Sequence, residues 1–327
     1  MKPLAKFTFG LLTFMVLFTY CKTDSVEIPT FDCEKKDLLN GYSQPLYSPV
    51  LPFFWHLSVN PNDSRVIAFK TTTVDNALEQ VHGVYTYNLE SEELNFITTG
   101  RINGPLDWSK NGTFVFQEYT GNGHHSIITM DEDGSNRNQI TPSGIFTFPT
   151  WDPTGTKIWY SEGYTEPTKI YITTPHNEIL DTFRSIYHEY LPNWGTESHV
   201  SVGHFGGLNL FDLDNDTVHV LHDIPLDEIY SWGAHGSTWL NDEDIIWTTP
   251  NGIFETNIHD RITDTILRTC PYDLYYESPV YSEAIERLVL VERVHDENEE
   301  LGKYTTQTIV SMNLDGSDIR HLEIPIE

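Results

Sequence analysis

A chain of 327 residues with a formal net charge of −29 repels phosphate backbones, which excludes nucleic acid as a partner. Aromatic residues make up 13% of it and sit in short alternating runs rich in Thr, Val and Ile, a pattern of strands. Apolar residues nowhere repeat at helical spacing over several turns, which excludes a helical bundle.

Lys2 and Lys6 precede an apolar run from Phe7 to Tyr20. The run is too short to span a bilayer comfortably, and the order basic-then-apolar is that of a secretory signal. Cys21 follows at once, then the polar "KTDSVEIP". This arrangement resembles a bacterial lipoprotein signal. The resemblance implies removal of residues 1–20, lipidation of Cys21, and a tethered place in the cell envelope at the periplasmic or surface face of the outer membrane. Phe18, Thr19 and Tyr20 depart from the usual Leu followed by small residues. An uncleaved anchor and ordinary secretion are the alternatives, the second disfavoured by the lack of an A-x-A-like site. Residues 21–52 carry no repeat and read as a tether and N-terminal arm.

From residue 53 onward the chain repeats. The clearest unit, "FPTWDPTGTKIWY" (Phe148–Tyr160), reads as a strand, a turn at Asp152-Pro153-Thr154-Gly155, and a second strand. Its aromatic or apolar residue before the turn recurs as Val59, Trp108, Trp151, Trp194, Trp239 and Tyr281, at intervals of 42 to 49 residues. Half a repeat later comes a second hairpin, such as "IITMDEDGSNRNQIT" or "IVSMNLDGSDIRHLE". Four strands per repeat at this period, six times over, predict an all-β, six-bladed β-propeller of four-stranded antiparallel blades across residues 53–327. The acids of "MDEDGSNRNQIT" are then turn residues. Counted as an EF-hand from Asp131, the twelfth position is Pro142 and not the bidentate Glu that calcium needs. Trp108, Trp151, Trp194 and Trp239, at one position per blade, are expected to pack between sheets.

Blades two, three and six carry the most specific letters: Asp133-Gly134-Ser135-Asn136, Trp151-Asp152-Pro153-Thr154-Gly155-Thr156-Lys157-Ile158 and Asp315-Gly316-Ser317-Asp318. These resemble the repeat of TolB-type propellers. TolB-like proteins work through protein contacts at the cell envelope, which the resemblance implies here. TolB also carries an N-terminal α/β domain that the short arm cannot supply, so a role in the Tol system is not implied. In a closed ring, blade six abuts blade one, and the arm can reach the connection between blades five and six. Cys33 in the arm and Cys270 in that connection therefore invite a disulfide at the closure. Two unrelated buried thiols are the alternative.

Catalytic motifs are absent. There is no G-x-S-x-G elbow, and the last repeat runs to the C-terminus with no room for a hydrolase domain of the kind that follows a propeller in some peptidases. There is no H-E-x-x-H, no C-x-x-C and no phosphate-cradling glycine loop. Position carries more than motif. The residues leading into the inner strands should converge on one mouth of the channel. They include His56, His188, Glu189, His235 and Glu277, side chains suited to acid–base chemistry or to a transition metal. Some propeller lyases acting on acidic sugars use channel histidines and a metal, a resemblance of architecture alone. The blander reading makes each a polar loop residue satisfied locally. The leading expectation is a monomeric, membrane-tethered binding protein that presents the propeller to an envelope protein or glycan, without catalysis and without a cofactor. The competing expectation is a polysaccharide lyase or hydrolase built on those five residues, with or without a channel metal ion. A scaffold subunit of an envelope complex ranks third.

Overall fold

The computed structural model describes residues 46–47, 53–74, 80–163, 168–185, 190–204, 207–223, 234–270, 273–298 and 302–326. Residues 1–20, Cys21, Cys33, His188 and Glu189 lie outside them. No helix among the described residues is long and apolar enough to cross a membrane.

The alternating runs form six antiparallel sheets in chain order, the predicted propeller. The innermost strands are Phe53–Val59, Ile102–Trp108, Phe146–Trp151, Tyr190–Trp194, Ser237–Trp239 and Leu274–Ser282. Each is followed by three strands stepping outward within its own blade. Blade six also takes the two-residue strand Leu46–Tyr47, parallel to Gly302–Met312 through Tyr304 and Thr305. The N-terminal arm thus reaches blade six, as its sequence position suggests. Cys270 is half-buried and bridges Leu274, while its expected partner lies outside the described residues.

Each blade exposes two apolar faces that it cannot cover itself, so burial happens between blades. Six hydrophobic clusters result, one per junction. Blades one and two share Ala68, Val84, Phe114 and Phe116. Blades three and four share Trp159, Ile170, Val200 and Phe211. The ring closes the same way, with Phe54, Ile67 and Phe69 of blade one against Val280, Val289 and Ile309 of blade six. The tail after the last strand adds Leu322, Ile324 and Ile326 to this closing cluster. Full burial of one such side chain contributes about 1.5–3 kcal/mol. Turns add polar latches between neighbours. Asn62 Nδ2 donates to the Lys110 carbonyl and Asn111 Nδ2 to the Gly155 carbonyl, each at 2.8 Å. Across the closure, Ser282 Oγ donates to the Ser64 carbonyl at 2.5 Å.

The signature turns behave as their residues require. Asp152 Oδ1 accepts from the backbone of Thr156 and Lys157, both at 2.6 Å. Asp133 Oδ1 accepts from Ser135 N at 2.8 Å, so "DEDGSN" is the turn before the outer strand Asn138–Gln139. Trp108, Trp151 and Trp194 are buried in three different junctions. Trp239, partly buried, packs against the fourth junction and lies across the backbone of blade four, its indole donating to the Asn193 carbonyl at 3.2 Å. Gly195 makes this possible: a Cβ there would lie 2.0 Å from the indole. Gly195→Ala must displace Trp239 and should destabilise the protein by about 1–3 kcal/mol. Urea unfolding followed by tryptophan fluorescence checks this, and an unchanged midpoint contradicts it.

Candidate functional site

Five of the six inner strands are interrupted by a bulge. Ladder register shifts between Trp55 and Ser58, Asn103 and Leu106, Thr147 and Thr150, Tyr190 and Asn193, and Glu277 and Val280. One residue at each break is left-handed: His56 (φ 47°), Gly104 (72°), Phe148 (53°), Leu191 (48°) and Ser278 (52°). Blade five matches with Gly236 at φ 116°, where a Cβ would meet Pro279 Cδ at 3.1 Å. Such a bulge leaves one residue unpaired and re-aims the strand. Proline suits the unpaired place because it has no N–H to lose, and Pro105, Pro149, Pro192 and Pro279 each follow the left-handed residue directly. The five bulges, with Gly236 just before the inner strand of blade five, form a collar around the channel.

On the side where the inner strands end, the collar bounds a cavity of about 260 Å³, lined by the collar residues His56, Leu191, Gly236 and Ser278 and by Ser58, Asp107, Thr150, Asn193, Trp151 and Trp194. One carboxylate on its wall is fully engaged. Asp107 accepts from Ser58 Oγ (3.3 Å), Trp108 N (2.9 Å), Thr150 Oγ1 (2.8 Å) and Trp151 N (2.7 Å), tying three blades together. Burial pushes its carboxyl up, against the hydrogen bonds that favour the charged form. Asp107 is thus a structural hub, whereas the buried indole N–H groups of Trp108, Trp151 and Trp194 in the cavity lining have no hydrogen-bond partner among the described residues.

The other side gathers charge. Glu277 and His235 directly precede the collar residues Ser278 and Gly236, and His56 is itself a collar residue. Lys70 pairs with Trp55 and Arg293 with Tyr275 in register, on the second strands of blades one and six. Glu277, buried, meets Arg293 Nη2 at 2.8 Å and His235 Nδ1 at 3.5 Å. Gln307 Nε2 also reaches it, at 3.5 Å. Burial by itself would raise Glu277, but Arg293 and His235 outweigh it and hold the carboxyl down to about 2. The Tyr275 ring stands edge-on to His235 at 5.6 Å and under the Arg293 guanidinium at 5.9 Å. Burial, reinforced by Lys70, takes His56 down to about 3; Glu277 acts in the opposite direction, and Arg293 and His235 add to the lowering. Burial alone brings Lys70 down to about 7.

Three of the five residues expected at the mouth, His56, His235 and Glu277, are therefore brought together; His188 and Glu189 lie outside the described residues. His56 and Glu277 belong to the inner strands themselves, whereas His235 lies just before the inner strand of its blade, as expected. Lys70 and Arg293 escaped the sequence reading because they sit on second strands, where a charge in an alternating run looks solvent-facing. Among the described residues no group of three His, Cys, Asp or Glu is placed to hold a metal ion. Lys70 and Arg293 also bring positive charge into the space around His56 that a cation would need.

No protein-family model matches the sequence, and no curated protein matches it either. Solved structures do. TolB from Acinetobacter baumannii is similar over 65% of this chain and 53% of its own length, with a TM-score of 0.51 and 16% identity. The β-propeller domain of the trilobed protease from Pyrococcus furiosus matches 84% of this chain and 98% of that one, with a TM-score of 0.51 and 10% identity. A puromycin-hydrolyzing peptidase from Mycobacterium tuberculosis matches 86% of this chain and 54% of its own, with a TM-score of 0.52 and 8% identity. The chain thus spans about half the length of TolB and of this peptidase. At these identities the likeness is one of fold: a six-bladed propeller resembling that of TolB-like proteins and of others.

This corrects the leading expectation. The same propeller occurs in peptidases as well as in TolB, so the resemblance gives no ground for a protein without catalysis, and the weighting against an enzyme falls with it. The physical reason is that blade packing sets the fold, whereas chemistry is set by the few side chains aimed into the channel.

The lowered His56 has a consequence for stability. The unfolded chain takes up a proton near pH 6.5 that the folded chain refuses until about pH 3. Folding stability therefore declines as pH falls through that window. His56→Gln cannot titrate and should lose less stability on acidification, read as a shallower dependence of the urea midpoint on pH. A slope equal to that of the wild type contradicts the assignment.

Proposed function

We propose that this chain is an enzyme acting on a polysaccharide, a lyase or hydrolase whose proton transfer is carried by His235 and Glu277 on the N-terminal side of the collar. The observation behind it is the chain of contacts Arg293–Glu277–His235, at 2.8 and 3.5 Å. Arg293 keeps Glu277 ionised, and ionised Glu277 draws the Nδ1 proton of His235 toward itself. That leaves Nε2 as the nitrogen able to take or return a proton. In hydrolysis His235 would accept a proton from the attacking water. In elimination it would accept the proton next to a carboxyl group as the glycosidic bond breaks. Glu277 acts through His235, and Tyr275 supports the imidazole from its edge.

A panel of acidic and neutral polysaccharides tests the reading, with unsaturated ends assayed for elimination and reducing ends for hydrolysis. At least one polysaccharide should be cut, and His235→Ala should slow cutting by about 10²-fold or more. A panel left intact, or a variant as fast as the wild type, refutes it.

The envelope tether belongs to the same proposal. It is supported by the basic residues Lys2 and Lys6, the apolar run 7–20 and Cys21 directly after it. Cells fed a radioactive fatty acid should label the chain and fail to label Cys21→Ser; equal labelling of both, or of neither, contradicts lipidation at this residue.

A further inference from the structure

The cavity beyond the collar has a distinctive wall. Trp108, Trp151, Trp194 and Trp239 line it together, one from the end of the inner strand of each of blades two to five. The indole N–H groups of the first three are buried without a partner among the described residues, and that of Trp239 is spent on the Asn193 carbonyl. What the indoles offer a guest is therefore ring carbon. The face of an indole carries partial negative charge and attracts a cation more strongly than other aromatic side chains do.

Two carboxylates stand in the same wall, Asp107 and Asp152. Four donors reach Asp107, the pattern of an ionised carboxylate, which only accepts. Asp152 accepts from Thr154 Oγ1, from the backbone and hydroxyl of Thr156, and from Lys157 N. A carboxylate has about four acceptor sites, so each is filled with neutral donors and has none left for another. Among the described residues no ammonium or guanidinium acts on Asp107. Lys70 and Arg293 are not among the residues lining the cavity, and Lys110, which is, is exposed. His56 on the collar stays neutral down to about pH 3.

The wall thus carries negative charge and aromatic faces, while its carboxylates have no acceptor site to spare. A primary ammonium would have N–H groups that these carboxylates cannot meet, and unmet donors are costly away from water. A quaternary ammonium has no N–H to satisfy. We propose that the tryptophan-lined cavity is a cage for a quaternary ammonium group, a trimethylammonium head held among the indoles beside Asp107. Its volume of about 260 Å³ suits a small head group. The net charge of −29 draws cations toward the chain. His235 and Glu277 are not among the lining residues, and the cage does not rest on their chemistry.

The test is calorimetric titration of the full chain with choline, with dimethylbutanol (its uncharged isostere, carbon in place of nitrogen) and with ethanolamine. Choline should bind about tenfold or more tightly than either of the others. Its methyl protons should show nuclear Overhauser contacts to indole protons. Trp194→Phe, which keeps a smaller ring, should weaken choline binding about threefold or more. If that variant fails to fold, the three ligands and the Overhauser contacts on the wild type decide alone. Equal affinity for choline and dimethylbutanol overturns the proposal, because the cavity is then merely apolar. Equal affinity for ethanolamine, no binding of choline, or choline bound without contacts to indole protons overturns it as well. So does a folded Trp194→Phe that binds choline as the wild type does. Sedimentation with vesicles separates the sources of the head group. Capture by phosphatidylcholine and not by phosphatidylglycerol assigns it to a lipid, and choline binding without such capture assigns it to a free solute; either result supports the cage.

Discussion

The channel is organised by one backbone constraint, the left-handed residue that bulges five of the six inner strands and directly precedes the sixth. Four of the six left-handed residues are not glycine, and His, Phe and Leu in this region cost about 1–3 kcal/mol each. The conformation persists because the ladder is fixed on both sides of it and the junction clusters fix the ladders. Without the bulge, each inner strand would continue in register and its side chains would alternate evenly along one open channel. With it, the chain turns at the collar, and the residues just before it project into a space separate from those just after.

That separation lets one narrow channel hold two incompatible environments. Beyond the collar, Asp107 ties three blades together while the indole N–H groups of Trp108, Trp151 and Trp194 stay without a partner among the described residues. Before it, Arg293 and His235 meet Glu277, and Lys70 is buried on the Ile102 carbonyl. Buried charge is expensive, and a fold held by six apolar junctions can carry that cost at one place. Perturbed ionisation is a mark of function, and here it coincides with geometry: an imidazole held against the carboxylate of Glu277.

Much of the architecture was legible in the sequence. The spacing of Val59, Trp108, Trp151, Trp194, Trp239 and Tyr281 gave the blade count, and the Asp-Gly-Ser turns gave the hairpins, because turn chemistry and inter-blade packing act on local letters. The collar left a signal that went unread. Pro105, Pro149, Pro192 and Pro279 stand inside what would otherwise be inner strands, and proline there marks a bulge. Lys70 and Arg293 were not legible, since which face of a second strand meets the channel depends on the twist and tilt of the blade. His56, His235 and Glu277 were found by position, although their placement on the collar was not foreseen. Function was the least legible, and the TolB-like letters pointed toward binding because they record packing, which peptidase propellers share.

The most direct test is a crystal structure of the protein grown with an oligosaccharide of a polysaccharide that it cuts. The saccharide should lie on the N-terminal side of the collar, with a ring within reach of His235 Nε2. A saccharide seated in the tryptophan-lined cavity beyond the collar, or outside the channel, would contradict the account.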